Sequence, residues 1–388
     1  MNSNGKLAPR FDWNLAFLLF LLFTTSMIAI HSAEKIGQYN QNFVEKQVIF
    51  YVIGAIIVGI VIRLDSEQWQ GIAWILYGFG NFLLILLIVA PASIARPING
   101  AKSWFTLPGF SLQPSEFMKV FLIIVFSMLI TKHNEKYRIR GMREDLLLLG
   151  KMGGALALPL LLIMQQPDLG TALVFLAIFV GLVFVSGVTW KIIAPAFGSI
   201  AVIGSTILAL VIYAPQALEK YLGVKQYQFG RIYSWLDPES YSSGEGYHLK
   251  RSLEAIGSGM VGGKGIGHGV VYIPESQTDF IFAVIGEEFG FIGSTLIIAL
   301  FFVLIYHIVK LGLSTRNEFY SYVCAGVVSM VTFHVFQNIG MTIQVLPITG
   351  IPLPFISYGG SSLMGNMLAM GVIFSIHWHY RQSIFDSK

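Results

Sequence analysis

Charge is the scarcest property of this 388-residue chain, because only 12% of its residues are Asp, Glu, Lys or Arg. A soluble domain carries about 25%. Apolar residues make up 55% of the chain instead, and so few charges cannot cover a globular surface in water. The sequence therefore predicts an all-α polytopic integral membrane protein with a single transmembrane domain over 1–388.

Cysteine is almost absent as well. The one cysteine, Cys324, lies in an apolar run, which excludes a disulfide framework and a thiolate metal site.

The first apolar stretch, 13–33, is long enough to span a membrane and is followed by no clear small-residue cleavage site. We therefore expect it to stay as a membrane helix rather than to be removed as a signal peptide. We find no internal repeat, and we expect no nucleic-acid partner.

Long apolar stretches recur along the chain, and a membrane-spanning helix needs about 20 such residues. They predict ten spans, at 13–32, 46–64, 69–90, 114–131, 146–164, 169–187, 190–214, 279–310, 319–341 and 359–379. An even number of spans leaves both termini on the same side of the membrane.

The distribution of Lys and Arg predicts which side that is, because short cytoplasmic loops are enriched in both. The segment 132–143 alone carries Lys132, Lys136, Arg138, Arg140 and Arg143. The short loops on the opposite side hold only Lys35, Lys46, Arg96 and Lys102. We therefore expect cytoplasmic termini in the plasma membrane and a long extracellular loop at 215–278.

A few polar residues lie at the predicted outer ends of the spans. Asp279 stands where a polar segment meets an apolar helix, and Glu116, Lys119 and Asp168 lie at the starts of other spans. Ionisable groups at membrane depth are costly and often functional. Each also has a structural explanation, since Asp and Glu stabilise helix N-termini and a lysine can extend to the membrane surface. We expect Lys119 to be held by Glu116 or Asp168, and favour a pair with Asp168 across a cleft.

Two other polar or glycine-rich patterns do not indicate catalytic or phosphate-binding residues. The glycine-rich run at 257–269 does not meet the Walker phosphate-loop pattern, because Ser258 and Gly265 stand where Gly and Ser or Thr are required. We expect its glycines to let the backbone lie close to the membrane surface or to a ligand. Glu287 and Glu288 are expected to join contacts between helices rather than to share the chemistry of Asp279.

Seven short motifs run through nearly the whole chain. They are Asn-Gly-Ala-Lys-Ser-Trp at 99–104, Gln-Pro-Ser-Glu at 113–116 with Lys119, Gln-Pro-Asp-Leu-Gly-Thr at 166–171, Trp-Leu-Asp-Pro at 235–238, Gly-Gly-Lys-Gly at 262–265, Pro-Glu at 274–275 with Thr-Asp-Phe at 278–280, and Pro-Leu-Pro-Phe at 352–355 with Ser-Tyr-Gly-Gly-Ser-Ser at 357–362. Together they resemble the SEDS family of shape, elongation, division and sporulation proteins, most closely its rod-shape branch.

The resemblance implies ten transmembrane helices and a peptidoglycan glycosyltransferase that polymerises lipid II on the outer membrane face. It also implies a class B penicillin-binding protein as transpeptidase partner within the cell-elongation complex. Asp279 matches the family's essential aspartate by position. Glu116, Lys119 and Asp168 match its other sensitive polar residues, and Trp104 and Ser357 lie in the shared motifs as further candidates for substrate binding.

The expected chemistry needs one base and a cationic pocket. A sugar hydroxyl is a weak nucleophile at neutral pH and needs a base, whereas a pyrophosphate leaving group needs its charge neutralised. Asp279 is the candidate base, and Lys102, Lys119 and Arg231 are candidates for holding the pyrophosphate. Mg²⁺ or Mn²⁺ is a candidate cofactor, because phosphate groups commonly bind together with a divalent cation.

Three rival interpretations stay open at this level. A lipid II flippase or other transporter could use the same helices, and it would be expected to place polar groups near the membrane midplane. A scaffold that only holds a partner synthase would tolerate substitution of Asp279. A division or sporulation paralogue would share the chemistry and differ in the complex that it serves.

The orientation can be tested by labelling from outside the cell. A cysteine placed at Ser243 should react with a membrane-impermeant thiol reagent, and one at Asn134 should not, because the Lys and Arg asymmetry puts these residues on opposite sides. The reverse labelling pattern would overturn the orientation.

Overall fold

The computed structural model describes residues 11–35, 42–96, 101–107, 110–214, 216, 230–241 and 244–386. Within these ranges the chain forms twelve helices and one short antiparallel hairpin. The helices are α1 (Trp13–Lys35), α2 (Phe43–Val61), α3 (Ser66–Val89), α4 (Pro114–Lys136), α5 (Met142–Met164), α6 (Leu169–Val185), α7 (Trp190–Tyr213), α8 (Gly230–Leu236), α9 (Glu245–Ser258), α10 (Ile281–Ser314), α11 (Glu318–Thr342) and α12 (Gly360–Asp386); the strands are β1 (Phe105–Leu107) and β2 (Phe110–Leu112).

Each of the ten predicted spans coincides with one of the longer helices. Eight helices in the described ranges are long and apolar enough to cross a membrane, and α6 is a shorter apolar helix. The all-α polytopic prediction is therefore confirmed. The boundaries differ by a few residues, mainly because polar residues at the helix ends continue the helical turns beyond the apolar stretch.

Helix α4 lies at the centre of the bundle, in contact with α3, α5, α6, α11 and α12. Its apolar side chains point in all directions and are buried on every side, including Met118, Leu122 and Phe126. A helix that is apolar all round belongs in the interior. The polar residues at the beginning of α4 are consequently surrounded by protein.

The segment predicted as a long loop at 215–278 contains two helices, α8 and α9, that the hydropathy pattern did not predict. Leu249 and Ala255 of α9 are fully buried against Phe280, Ala283 and neighbouring apolar residues. This half-polar helix thus packs on the beginning of α10. Ser243, chosen above for labelling, lies outside the described residues.

Helix α10 is broken at Gly290, where φ is 63° and ψ is −157°, a conformation open essentially to glycine alone. Beyond the break, the backbone N–H of Phe291 donates to the carbonyl oxygen of Met260 at 2.9 Å, and that of Ile292 to Val261 at 3.2 Å. The helix therefore takes hydrogen bonds from the glycine-rich segment where its own have been lost.

The same exchange occurs on the other side of the break. In a continuous helix the carbonyls of Glu287 and Glu288 would accept from residues four positions later. They accept instead from the backbone N–H groups of Lys264 (3.0 Å) and Gly265 (2.9 Å). The glycine-rich run predicted to lie against the membrane surface or a ligand therefore packs on α10.

The side chains of the two glutamates strengthen this connection. Glu287 Oε1 is 2.6 Å from the ammonium of Lys264 and accepts from the backbone N–H of Val270 at 2.9 Å. Glu288 accepts from the hydroxyl of Ser32 on α1. Both glutamates are buried, which confirms the prediction that they join structural contacts rather than the site around Asp279.

Gly290→Ala should destabilise the protein. The alanine Cβ would lie 2.4 Å from the backbone nitrogen of Gly263 and 2.7 Å from the carbonyl oxygen of Val261, in a backbone conformation that costs a non-glycine residue about 1–3 kcal/mol. The measurement is the thermal midpoint of the purified protein in detergent. Gly78→Ala is the matched control, because no atom lies within 4 Å of its added Cβ. Equal midpoints for the two variants would show that the break is not a required conformation.

Candidate functional site

A cavity of about 610 Å³ lies where α4, α6 and α12 begin and where the chain enters α10. In a bundle that alternates direction, these four spans start at the same end. Five of the predicted site residues line the cavity: Trp104, Glu116, Lys119, Asp168 and Asp279. The structure thus brings together side chains from distant motifs at one end of the bundle.

The backbone on either side of the Asp279 side chain is fixed by two buried polar residues. The amide nitrogen of Asn338 on α11 donates to the carbonyl oxygens of Asp279 and Ile351, both at 2.8 Å. The hydroxyl of Ser357 donates to the carbonyl of Thr278 at 2.6 Å. Ser357 does not line the cavity, so the structure gives this predicted substrate-binding residue a supporting position.

The Asp279 carboxylate has an unusual environment. Burial and the nearby negative charge of Glu275 raise its pKa to about 7, against the opposing effect of the Arg231 guanidinium. Among the described residues we find no hydrogen-bond donor to this carboxylate. Asp279 therefore changes between its protonated and ionised forms near neutral pH, which suits a group that takes up a proton.

Lys119 is held by two neighbours inside the protein. Its ammonium nitrogen lies 2.7 Å from Glu116 Oε2, one helical turn earlier on α4, and 3.1 Å from Nε2 of His334 on α11. The three side chains are at most 5% exposed. A charge buried at this depth requires such a partner.

The predicted pair between Lys119 and Asp168 is wrong. Asp168 is the N-cap of α6 and accepts from both the backbone N–H of Thr171 (3.0 Å) and its hydroxyl (2.8 Å). Gln113 donates to it at 2.9 Å. These donors satisfy Asp168, whereas Glu116 reaches Lys119 along the same helix with less loss of side-chain freedom.

Lys102, predicted from the sequence to hold the pyrophosphate, does not lie where it could do so. Its ammonium donates to the carbonyl oxygens of Ile88 (2.8 Å) and Ala90 (2.5 Å) at the end of α3. It therefore caps a helix C-terminus, a favourable place for a cation, and does not line the cavity. We conclude that Lys102 is not available to hold a pyrophosphate.

Several cavity residues were not among the predicted site residues, notably Lys46, His334 and two motif residues, Gln113 and Tyr358. His334 lies in an apolar stretch, where an isolated histidine gives no functional signal. Its partner on α4 is 215 positions away. Only the packing of α4 against α11 brings the two together.

The cavity offers a divalent cation one well-suited ligand. No group of three or more His, Cys, Asp or Glu arranged for a metal occurs in the described parts of the chain. Asp168 and Glu116 are engaged by other partners, which leaves the Asp279 carboxylate. Mg²⁺ typically binds through one or two carboxylates, substrate phosphates and water, so Asp279 fits such an ion as its protein ligand.

These features define a polytopic membrane protein with a polar cavity at one end of its bundle and, in that cavity, a carboxyl group whose pKa is raised to about 7. Comparison with known proteins agrees with this class. The family model described as the cell cycle proteins FtsW, RodA and SpoVE matches residues 9–382. The chain therefore belongs to this family, the SEDS family.

Similar proteins match over nearly their whole length. The chain is 34% identical to stage V sporulation protein E of Bacillus subtilis (strain 168), over 98% of this chain and 100% of that protein. It is also 34% identical to a probable peptidoglycan glycosyltransferase FtsW of Coxiella burnetii (strain RSA 493 / Nine Mile phase I), over 92% of both chains.

Two solved structures share the fold. One chain belongs to a structure described as a peptidoglycan synthase complex that coordinates polymerization and crosslinking; its TM-score is 0.73 at 26% identity, over 95% of this chain and 98% of that one. The other is the rod shape determining protein RodA of Thermus thermophilus, with a TM-score of 0.67 at 24% identity, over 95% of this chain and 97% of that one.

The pKa of Asp279 can be measured by its reaction with a hydrophobic carbodiimide, which modifies protonated carboxyl groups. Labelling followed by mass spectrometry should fall with a midpoint near pH 7. Glu275→Gln should lower the midpoint, because a like charge is removed, and Arg231→Gln should raise it. A midpoint near pH 4 in the parent protein would contradict the environment described here.

Proposed function

We propose that this chain is a peptidoglycan glycosyltransferase that polymerises lipid II into glycan strands on the outer face of the cytoplasmic membrane. The observation that carries the proposal is the Asp279 carboxylate in the polar cavity, which has no hydrogen-bond donor among the described residues and a pKa of about 7. Family membership supports it, since several of the similar proteins are named probable peptidoglycan glycosyltransferases.

The reaction joins a sugar hydroxyl to the anomeric carbon of a second, lipid-linked sugar. As the 4-hydroxyl oxygen forms its bond to that carbon, the bond from the carbon to the pyrophosphate oxygen breaks. The hydroxyl proton passes to the Asp279 carboxylate, and the polyprenyl pyrophosphate leaves as an anion. Attack opposite the leaving group inverts the anomeric carbon.

The leaving pyrophosphate is the second centre of charge. Lys119, whose ammonium is kept in place by Glu116 and His334, is the candidate cation on the cavity wall. Arg231 does not line the cavity, but it is close enough to lower the pKa of Asp279 and is the second candidate cation. Trp104 lines the cavity and offers an apolar surface to a sugar ring.

A bound Mg²⁺ or Mn²⁺ would be held by Asp279 together with the substrate phosphates, and it would supply positive charge to the leaving group. Glu116 and Asp168 would not contribute ligands, because Lys119 engages the first and Gln113 and Thr171 engage the second.

Two features favour an enzyme over a lipid II flippase. The polar cavity lies at the starts of four spans rather than midway along them. The acidic residues of the cavity also differ in their contacts. Asp168 caps a helix and Glu116 pairs with Lys119, whereas Asp279 is available to accept a proton. A transport path would place polar groups near the midplane.

The cellular role that we propose is elongation of a rod-shaped cell, in complex with a class B penicillin-binding protein. The motif resemblance supports elongation, and the similar chain from a synthase complex supports a crosslinking partner. Relatives named for division and sporulation make those the rival roles. Depletion should round the cells; filaments, or a defect restricted to spores, would identify a rival role.

Asp279→Asn should abolish polymerisation while leaving the protein folded. The amide has nearly the same size but cannot accept the hydroxyl proton, and loss of a general base costs about 10²–10⁴-fold in rate. Polymer formation from labelled lipid II by the purified protein, with and without its transpeptidase partner, measures the effect. The parent rate should also fall as the pH drops below about 7, because a protonated Asp279 is no longer a base.

The control for this experiment is Glu239→Gln, which changes an exposed carboxylate outside the cavity and outside the shared motifs and should leave the rate unchanged. Near-parent polymerisation by Asp279→Asn would show that another group takes the proton. Movement of labelled lipid II across vesicles by both the parent and Asp279→Asn, without polymer, would favour the flippase.

A further inference from the structure

Lys119 lies between two different kinds of partner. Glu116, on the same helix, contributes a negative charge at 2.7 Å. His334, on α11, contributes a ring nitrogen at 3.1 Å. The Glu116 contact balances the charge of the ammonium, whereas the His334 contact ties it to a second helix.

The hydrogen bonds of His334 define its tautomer. Nδ1 lies 2.8 Å from the carbonyl oxygen of Met330, which can only accept, so Nδ1 carries the hydrogen. Nε2 faces an ammonium, which can only donate, so Nε2 presents its lone pair. The ring is therefore neutral, and the Met330 carbonyl fixes it as an acceptor for Lys119.

This arrangement leaves part of the ammonium for a ligand. A lysine ammonium has three N–H groups. His334 takes one and Glu116 occupies a second side, and the described residues supply no third acceptor. Lys119 and His334 both line the cavity that contains Asp279.

We propose that His334 is a positioning residue, which directs the remaining N–H of Lys119 toward an anionic oxygen of the substrate, such as that of the leaving pyrophosphate. This inference rests on the proposed glycosyltransferase function. A neutral acceptor suits the task, because a second carboxylate at this position would compete with the phosphate for the ammonium. Without the ring, Lys119 would be held from one side only and could swing along its four-carbon chain.

The test compares His334→Leu with His334→Gln. Leucine fills similar space without an acceptor, whereas the glutamine amide oxygen can reach the position of Nε2. Polymerisation of labelled lipid II should fall by about 10–100-fold in His334→Leu, the effect of misplacing a catalytic contact by about 1 Å. His334→Gln should recover most of the activity. Thermal midpoints and size-exclusion profiles check that both variants fold.

A double-mutant cycle separates positioning from general packing. In a Lys119→Met background, His334→Leu should cause no further loss, because there is no ammonium left to direct. An equal loss in both backgrounds would overturn the proposal, as would a parent-like rate in His334→Leu or a rate in His334→Gln as low as in His334→Leu.

The same assay distinguishes the proposed glycosyltransferase function from the positioning role of His334. A parent protein that makes no polymer with its partner present would count against the proposed function itself. A parent that polymerises lipid II and loses activity on Asp279→Asn, but shows no coupling between His334 and Lys119, would count against the positioning role alone.

Discussion

The half-helix that follows Asp279 ends at the break at Gly290, so it is fixed by the contact between this break and the segment 260–265 rather than by continuation of the helix. The backbone groups exposed by the break are paired by the segment 260–265, and the ion pair of Glu287 with Lys264 closes the same contact. In an apolar environment each unpaired backbone group would cost several kcal/mol. The segment is therefore bound tightly to the helix. The position of Asp279 consequently depends on residues both before and after it in the chain.

Among the described residues, the buried carboxylates pair with cations or accept hydrogen bonds, whereas the half-buried Asp279 does neither. Glu287 has Lys264, and Glu116 has Lys119, because an isolated buried charge is strongly destabilising. Asp168 meets the requirement differently, by accepting from Thr171 and Gln113. The described residues give Asp279 no such partner, and burial together with the charge of Glu275 raises its pKa. A carboxyl group whose pKa is raised by folding lowers the stability of the folded protein at neutral pH, so stability does not account for its presence and a chemical role does.

The sequence was sufficient to predict the membrane spans, because length and apolarity determine them. The shared motifs were sufficient to predict the residues that line the cavity together, which are Trp104, Glu116, Lys119, Asp168 and Asp279. The sequence was not sufficient for contacts between helices. Lys102 and Lys119 look alike as lysines near the ends of apolar stretches, but one caps α3 and the other faces the cavity. The difference arises from packing between elements distant in the chain. Helix α9 was missed for a related reason, because its apolar face packs mainly against α10 and α8.

In the proposed reaction the base and the leaving group carry charges of the same sign and share one cavity. An arriving pyrophosphate would raise the pKa of Asp279 further, as any nearby negative charge does, and would therefore favour the protonated form, which cannot take the hydroxyl proton. The same repulsion opposes binding, so cations are needed beside the phosphates. Arg231 acts on Asp279 electrostatically, whereas Lys119 is neutralised by Glu116 yet keeps an N–H to donate. The balance between the phosphates and these cations therefore decides whether Asp279 stays ionised, and so remains a base, when the substrate is bound.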